Sequence, residues 1–111
     1  MKINLKAMSF DAHEVPFKND AVLMIRPYPR SRQSARYKNT GDIVLTGEDQ
    51  LDRFNYCLTG WKGVADDAGN AIALTDEVKK AIFDANWEGV ADFVLRESRK
   101  REEEMAASEK N

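Results

Sequence analysis

The stretch Thr59–Thr75, TGWKGVADDAGNAIALT, sets the strongest limit on what this chain can fold into. It places a tryptophan, three glycines, two adjacent aspartates and an asparagine between two segments of helical apolar spacing. Asp, Asn and Gly tolerate turn geometry, so Asp66-Asp67-Ala68-Gly69-Asn70 predicts a tight reversal. Trp61–Val64 and Ala71–Leu74 read as the extended arms of a hairpin around it. On the N-terminal side, Leu51, Phe54, Leu58 and Trp61 form one apolar stripe of a helix that opens at Gly47 and runs to about Thr59. Glu48, Asp49 and Asp52 crowd its first turn, and Gly60 suits the position that ends it. On the C-terminal side, Thr75 predicts an N-cap, with Asp76 and Glu77 in the first turn behind it. Val78, Ile82, Trp87, Val90, Phe93 and Val94 continue at helical spacing. Asn86 and Gly89 are poor helix formers, so a break is expected near Asp84–Glu88.

The N-terminal third speaks for strands. Residues 2–8, KINLKAM, alternate with Ile3, Leu5 and Ala7 on one face. Phe10–Phe17 reads as a turn and a short strand ending near Pro16. Lys18-Asn19-Asp20 is a turn, and Ala21–Ile25 (AVLMI) is a candidate central strand that must stop before Pro27 and Pro29. Asp42–Thr46 (DIVLT) reads as one further short strand. The expected fold is α+β: an N-terminal antiparallel β-meander or small sheet, a central helix and hairpin, and C-terminal helices. Beyond Leu95 the chain has five cations, five anions and only Met105 as a large apolar residue. Residues 1–95 therefore read as one domain. Residues 96–111 read as a charged tail, helical or frayed, solvated or resting on a partner.

Charge is unevenly placed although the total is only −2. Arg26–Lys38 holds five cations and no acid, whereas Asp42–Glu77 holds eight acids against Arg53 and Lys62. The basic segment, with Tyr28 and Tyr37, is the one candidate for nucleic acid or for a charged partner; a sequence pI near 5.4 argues against nucleic acid. A solvated loop is the simpler reading of that segment. One cysteine, Cys57, excludes an intramolecular disulfide and fits a reducing cytoplasm. The N-terminus lacks the apolar run of a signal peptide, and nothing approaches the ~18 apolar residues of a membrane span.

No constellation carries a reaction. His13 is the only histidine, and no metal ligand has motif spacing to it. Cys57 lies beside an apolar stripe and reads as a small hydrophobe rather than half of a catalytic pair. Read as a calcium loop from Asp66, the turn has Ala68 at position three and Ala71 at position six, so only Asp66 and Glu77 fit. Gly60, Gly63 and Gly69 do not make a phosphate-binding fingerprint. Trp61 and Trp87 lie on or at the end of helical stripes, which favours core packing over ring stacking with a ligand. The expectation is no catalytic, metal or cofactor site.

The segment RFNYCLTGWKGVADDAGNAIALTDEVKKAIFD resembles the middle of small phage and prophage tail assembly chaperones. An aromatic-bearing helix leads to W-x-G-(V/I), a D-x-x-G-N-like turn, an apolar pair, a Thr or Ser cap and final helices. The matching residues are Phe54, Trp61, Gly63, Val64, Asp66, Gly69, Asn70 and Thr75. The resemblance implies a cytoplasmic protein of the host cell that coats the tape measure protein, keeps it soluble and helps recruit tail tube subunits. It implies no cofactor, nucleic acid or membrane, and leaves self-association open. In such phages a frameshift often extends this protein, and Lys110-Asn111 suits the run of adenines required. The surfaces expected to meet a partner are the stripe Trp87, Val90, Phe93 and Val94 and the basic-loop residues Arg30, Arg32, Arg36 and Tyr37. A structural virion part, such as a head–tail connector or tail-terminator subunit, is the alternative; its fate differs, because it stays in the particle.

Overall fold

The computed structural model describes residues 1–3, 9–32 and 47–109. Strands β1 (His13–Pro16), β2 (Val22–Ile25) and β3 (Leu58–Lys62) form an antiparallel sheet in that order, with β2 central. Helices α1 (Gly47–Cys57), α2 (Asp76–Ala85) and α3 (Val90–Glu109) complete an α+β fold. Short 3-10 turns occupy Arg30–Arg32 and Trp87–Gly89. The strand expected over residues 2–8 and that at Asp42–Thr46 fall mostly or wholly outside the described residues.

β1 and β2 meet through the turn at Lys18-Asn19-Asp20. The Phe17 amide donates to the Ala21 carbonyl at 2.8 Å, and Asn19 takes φ 54°, a conformation Asn tolerates better than most residues. Pro16 ends an edge strand, where its missing donor does little harm. β2 supplies Leu23 and Ile25 to the core. One last ladder bond follows, Arg26 N–H to the Cys57 carbonyl at 2.9 Å, before Pro27 and Pro29 intervene.

The third strand is a correction. Leu58–Lys62 is not the end of a helix with Gly60 beyond it; α1 stops at Cys57 and the chain enters β3 directly. Leu58 and Trp61 are apolar in a way that suits helix or strand. The free edge of β2 decides, pairing Leu23 with Trp61 and Ile25 with Leu58 across a bulge at Met24/Ile25. Gly60 lies opposite Met24, whose sulfur would be 3.1 Å from an added Cβ.

The reversal after β3 is the tight turn expected, closed by a single bridge, Ala65–Ala71, rather than by two full strands. Asp66 organises it. Its carboxylate accepts from the Ala68 and Asn70 amides at 2.9 Å each, and its backbone exchanges bonds with Gly69 and Asn70. The Trp61 indole N–H clamps the returning arm through the Ile72 carbonyl at 2.7 Å. Gly63 (φ 76°) is required twice over, because an added Cβ would stand 2.6 Å from the Asp20 carbonyl oxygen.

Thr75 caps α2 by accepting from the Val78 amide at 3.2 Å. The helix ends in left-handed Asn86 (φ 45°), followed by Glu88 (φ 52°) and Gly89 (φ 72°), so the expected break is real. α3 then runs without interruption for 20 residues. Its inner stripe passes from Val90, Ala91, Val94 and Leu95 to Ser98 and Met105, all buried. With Leu23, Ile25, Phe54, Cys57, Leu58 and Ile82, the stretch Val90, Ala91, Val94 and Leu95 makes the core. The charged stretch beyond Leu95 is helical through Glu109, with Ser98 and Met105 buried within it.

Candidate partner-binding surface

The molecule has two ends of different character. At one, the segment after β2 meets α1 and the second half of α3. The Tyr28 amide donates to Glu102 Oε1 at 3.2 Å, and its hydroxyl donates to the Asp52 carboxylate. Arg53 Nη1 reaches both Glu102 oxygens, at 2.9 and 3.0 Å, while its guanidinium lies 4.7 Å from the centre of the Tyr28 ring. Arg26 lies 3.7 Å over the Tyr56 ring, with its Nε on the Tyr56 carbonyl at 2.8 Å. Arg32 pairs with Asp52 at 3.2 Å and also approaches Tyr56. Burial, then the bond to Asp52, pushes the Tyr28 hydroxyl up to about 12.

Of the loop residues expected to meet a partner, Arg32 is thus engaged within the chain, Arg30 is exposed, and Arg36 and Tyr37 lie outside the described residues. Cys57 is fully buried, and burial pushes its thiol up to about 11, so it stays protonated at neutral pH. His13 is exposed on edge strand β1. Lys79, whose ammonium donates to the Asn55 carbonyl at 2.9 Å, is shifted down by burial. Among the described residues, no three His, Cys, Asp or Glu side chains gather as a metal cluster.

At the other end the surface is open and aromatic. Trp87, read from its spacing as a core residue, projects from the α2–α3 corner and is 47% exposed. It lines a cleft of about 240 Å³ with Phe17, Leu23, Trp61, Val64 and Val90. A second cleft of about 470 Å³ lies beside it, walled by Pro16, Phe17, Gly89, Asp92, Phe93 and Arg96. Phe17 and Phe93 pack with ring centres 4.8 Å apart between strand and helix. Val90 and Val94 are enclosed in the core, 1% and 0% exposed, so the expected stripe reaches the surface at Trp87 and Phe93.

Phe17 and Lys18 belong to this surface although their segment drew attention only as a turn. Phe17 alone, a large apolar residue between a proline and a turn, could have signalled it. The motif residues act as scaffold beneath: Phe54 in the core, Trp61 on the cleft wall, Gly63, Asp66, Gly69 and Asn70 in the turn, and Thr75 as cap.

A closed, charge-paired end and an open aromatic one thus mark this small α+β protein. Residues 12–111 match the family model described as YdaY prophage protein, and the chain belongs to that prophage family. No curated protein and no solved structure matches it. Among the described residues no helix is long and apolar enough to cross a membrane.

Proposed function

We propose that this prophage protein is a tail assembly chaperone that binds the tape measure protein, keeps it soluble and promotes assembly of the tail tube around it. Membership of a prophage family supports the setting. The order Phe54, Trp61-x-Gly63-Val64, Asp66, Gly69-Asn70, Thr75 supports the type of protein. The observation that carries the proposal is Trp87, a half-exposed aromatic that lines a cleft together with Phe17, Trp61 and Val64. A tape measure protein is long and helical, and before assembly its apolar faces would aggregate. A shallow aromatic groove with charge around it fits one face of such a helix better than it fits a small polar ligand. On this reading the protein works in the host cytoplasm, through surface contacts and without catalysis.

Co-expression with the tape measure protein of the same prophage tests the proposal. The chaperone keeps that protein soluble, co-purifies with it, and is absent from finished particles. An insoluble tape measure protein despite abundant chaperone would overturn it, and recovery of the chain from purified particles would instead make it a structural virion part.

A further inference from the structure

The two clefts at the open end share a wall made of Phe17, Lys18 and Glu88. Lys18 comes from the β1–β2 turn and Glu88 from the α2–α3 corner, 70 positions apart. The Lys18 ammonium donates to the Glu88 carbonyl at 3.0 Å and approaches its carboxylate at 3.5 Å, with the ammonium 5.8 Å from the centre of the Phe17 ring. Both side chains are more than half exposed, at 59% and 53%. An ion pair that wet is weak and salt-sensitive, so it opens readily.

The backbone beneath it is unusual. Asn86, Glu88 and Gly89 all have positive φ, and Glu88 is a residue that rarely adopts it. Such backbone persists where surrounding contacts hold it, and it collects at segments that move. Here the contacts are the Lys18 bond, the Asn86 side-chain amide to Asp92 at 3.2 Å and the Gly89 amide to the Asn86 carbonyl at 3.2 Å.

We propose that Lys18 is a strap: bound to Glu88 it divides the aromatic surface into two clefts, and released it joins them into one groove running from Trp61 past Trp87 to Phe93. This deepens the chaperone reading and rests on it for its purpose: the closed strap limits exposed apolar surface in the free chain, and an incoming apolar helix face displaces it. The strap itself is a property of the chain alone, so it can be tested without a partner.

The test uses the full chain labelled with 5-fluorotryptophan, with Trp87→Phe to assign the two fluorine signals, and anilinonaphthalene sulfonate as a probe of open apolar surface. Lys18→Ala should raise probe fluorescence several-fold and move the Trp87 signal, with Tm unchanged. Lys18→Arg should restore both readings toward those of the unaltered chain, and 0.5 M salt should shift the unaltered chain toward Lys18→Ala. Lys62→Ala is the control, since it removes an equally exposed ion pair, Lys62–Glu14 at 2.6 Å, whose two residues line neither cleft. If Lys18→Ala lowers Tm, Lys18→Met, which keeps the apolar stem, replaces it. Equal probe binding in Lys18→Ala and the unaltered chain, or the same rise in Lys62→Ala, would overturn the strap. Failure of co-expression with these results intact would instead count against the chaperone reading.

Discussion

At the Tyr28 end, three arginines lie over two tyrosine rings and reach two carboxylates, and long-range bonds tie α1, α3 and the segment after β2 together. At the Trp87 end, four large aromatics, Phe17, Trp61, Trp87 and Phe93, are half-buried or exposed beside clefts, and the exposed Lys18–Glu88 pair joins the β1–β2 turn to the α2–α3 corner. Both ends hold aromatic rings and charge. They differ in what the charges face. Cations stacked on rings and held by half-buried carboxylates make the first end rigid. At the second end Lys18 and Arg96 lie farther from the Phe17 and Phe93 rings, at 5.8 and 5.7 Å, and Trp87 stands 47% exposed. A chain of 111 residues has one modest core, and the proposed binding surface lies at the end with fewer long-range polar contacts.

The sharpest way to break this contrast is in the core that the closed end protects. Phe54 is fully buried and packs with Phe83 at 5.6 Å. Phe54→Ala should cost roughly 3–5 kcal/mol by urea denaturation, because it leaves a cavity the sheet and helices cannot fill. A loss below about 1 kcal/mol would show that the core is loose there.

Next comes the Arg53–Glu102 pair, whose side chains are 12% and 22% exposed. Arg53→Met strands Glu102 beside the Tyr28 amide. The expected loss is roughly 1–3 kcal/mol, between the values for exposed and fully buried pairs. Adding Glu102→Leu should recover most of it; no recovery would mean that Arg53 matters for packing on Tyr28 rather than for charge.

Alkaline titration sharpens the same end. Tyr28 at about 12 and Cys57 at about 11 stay protonated in the folded chain beyond their ordinary values of 10.0 and 9.0. The unfolded chain releases those protons first. Stability is therefore fully present below about pH 9 and falls as pH rises toward 12. Urea midpoints between pH 8 and 11.5 should follow this, and Tyr28→Phe should flatten the upper part of the decline. An unchanged slope in Tyr28→Phe would remove Tyr28 from the account.

Much of this architecture could be read locally. The Asp66–Asn70 turn, the Thr75 cap, the break after Ala85 and the stop of β2 before its prolines each depend on residues within a few positions of one another. β3 could not, because Leu58–Lys62 satisfies helical and strand spacing alike and only the free edge of β2 decides between them. The seat of α3 was also hidden. Its inner stripe continues through Ser98 and Glu102, which look solvated until Arg53 and the Tyr28 amide, 45 to 74 positions away, meet them. The candidate surface was half legible. Trp87 and Phe93 stood out as aromatics, but Val90 and Val94 share their helical stretch and turn inward, while Phe17 and Lys18 arrive from the other end of the sequence.

If partner binding lies at the Trp87 end and stability rests on the other, Trp87→Ala should separate the two. Stability of the variant and solubility of the co-expressed tape measure protein would be measured on the same preparation. Expected is a stability loss of at most about 1–2 kcal/mol, for a side chain that is 47% exposed, together with loss of the soluble complex. A variant that is strongly destabilised, or that solubilises the partner as well as the unaltered chain does, would contradict it.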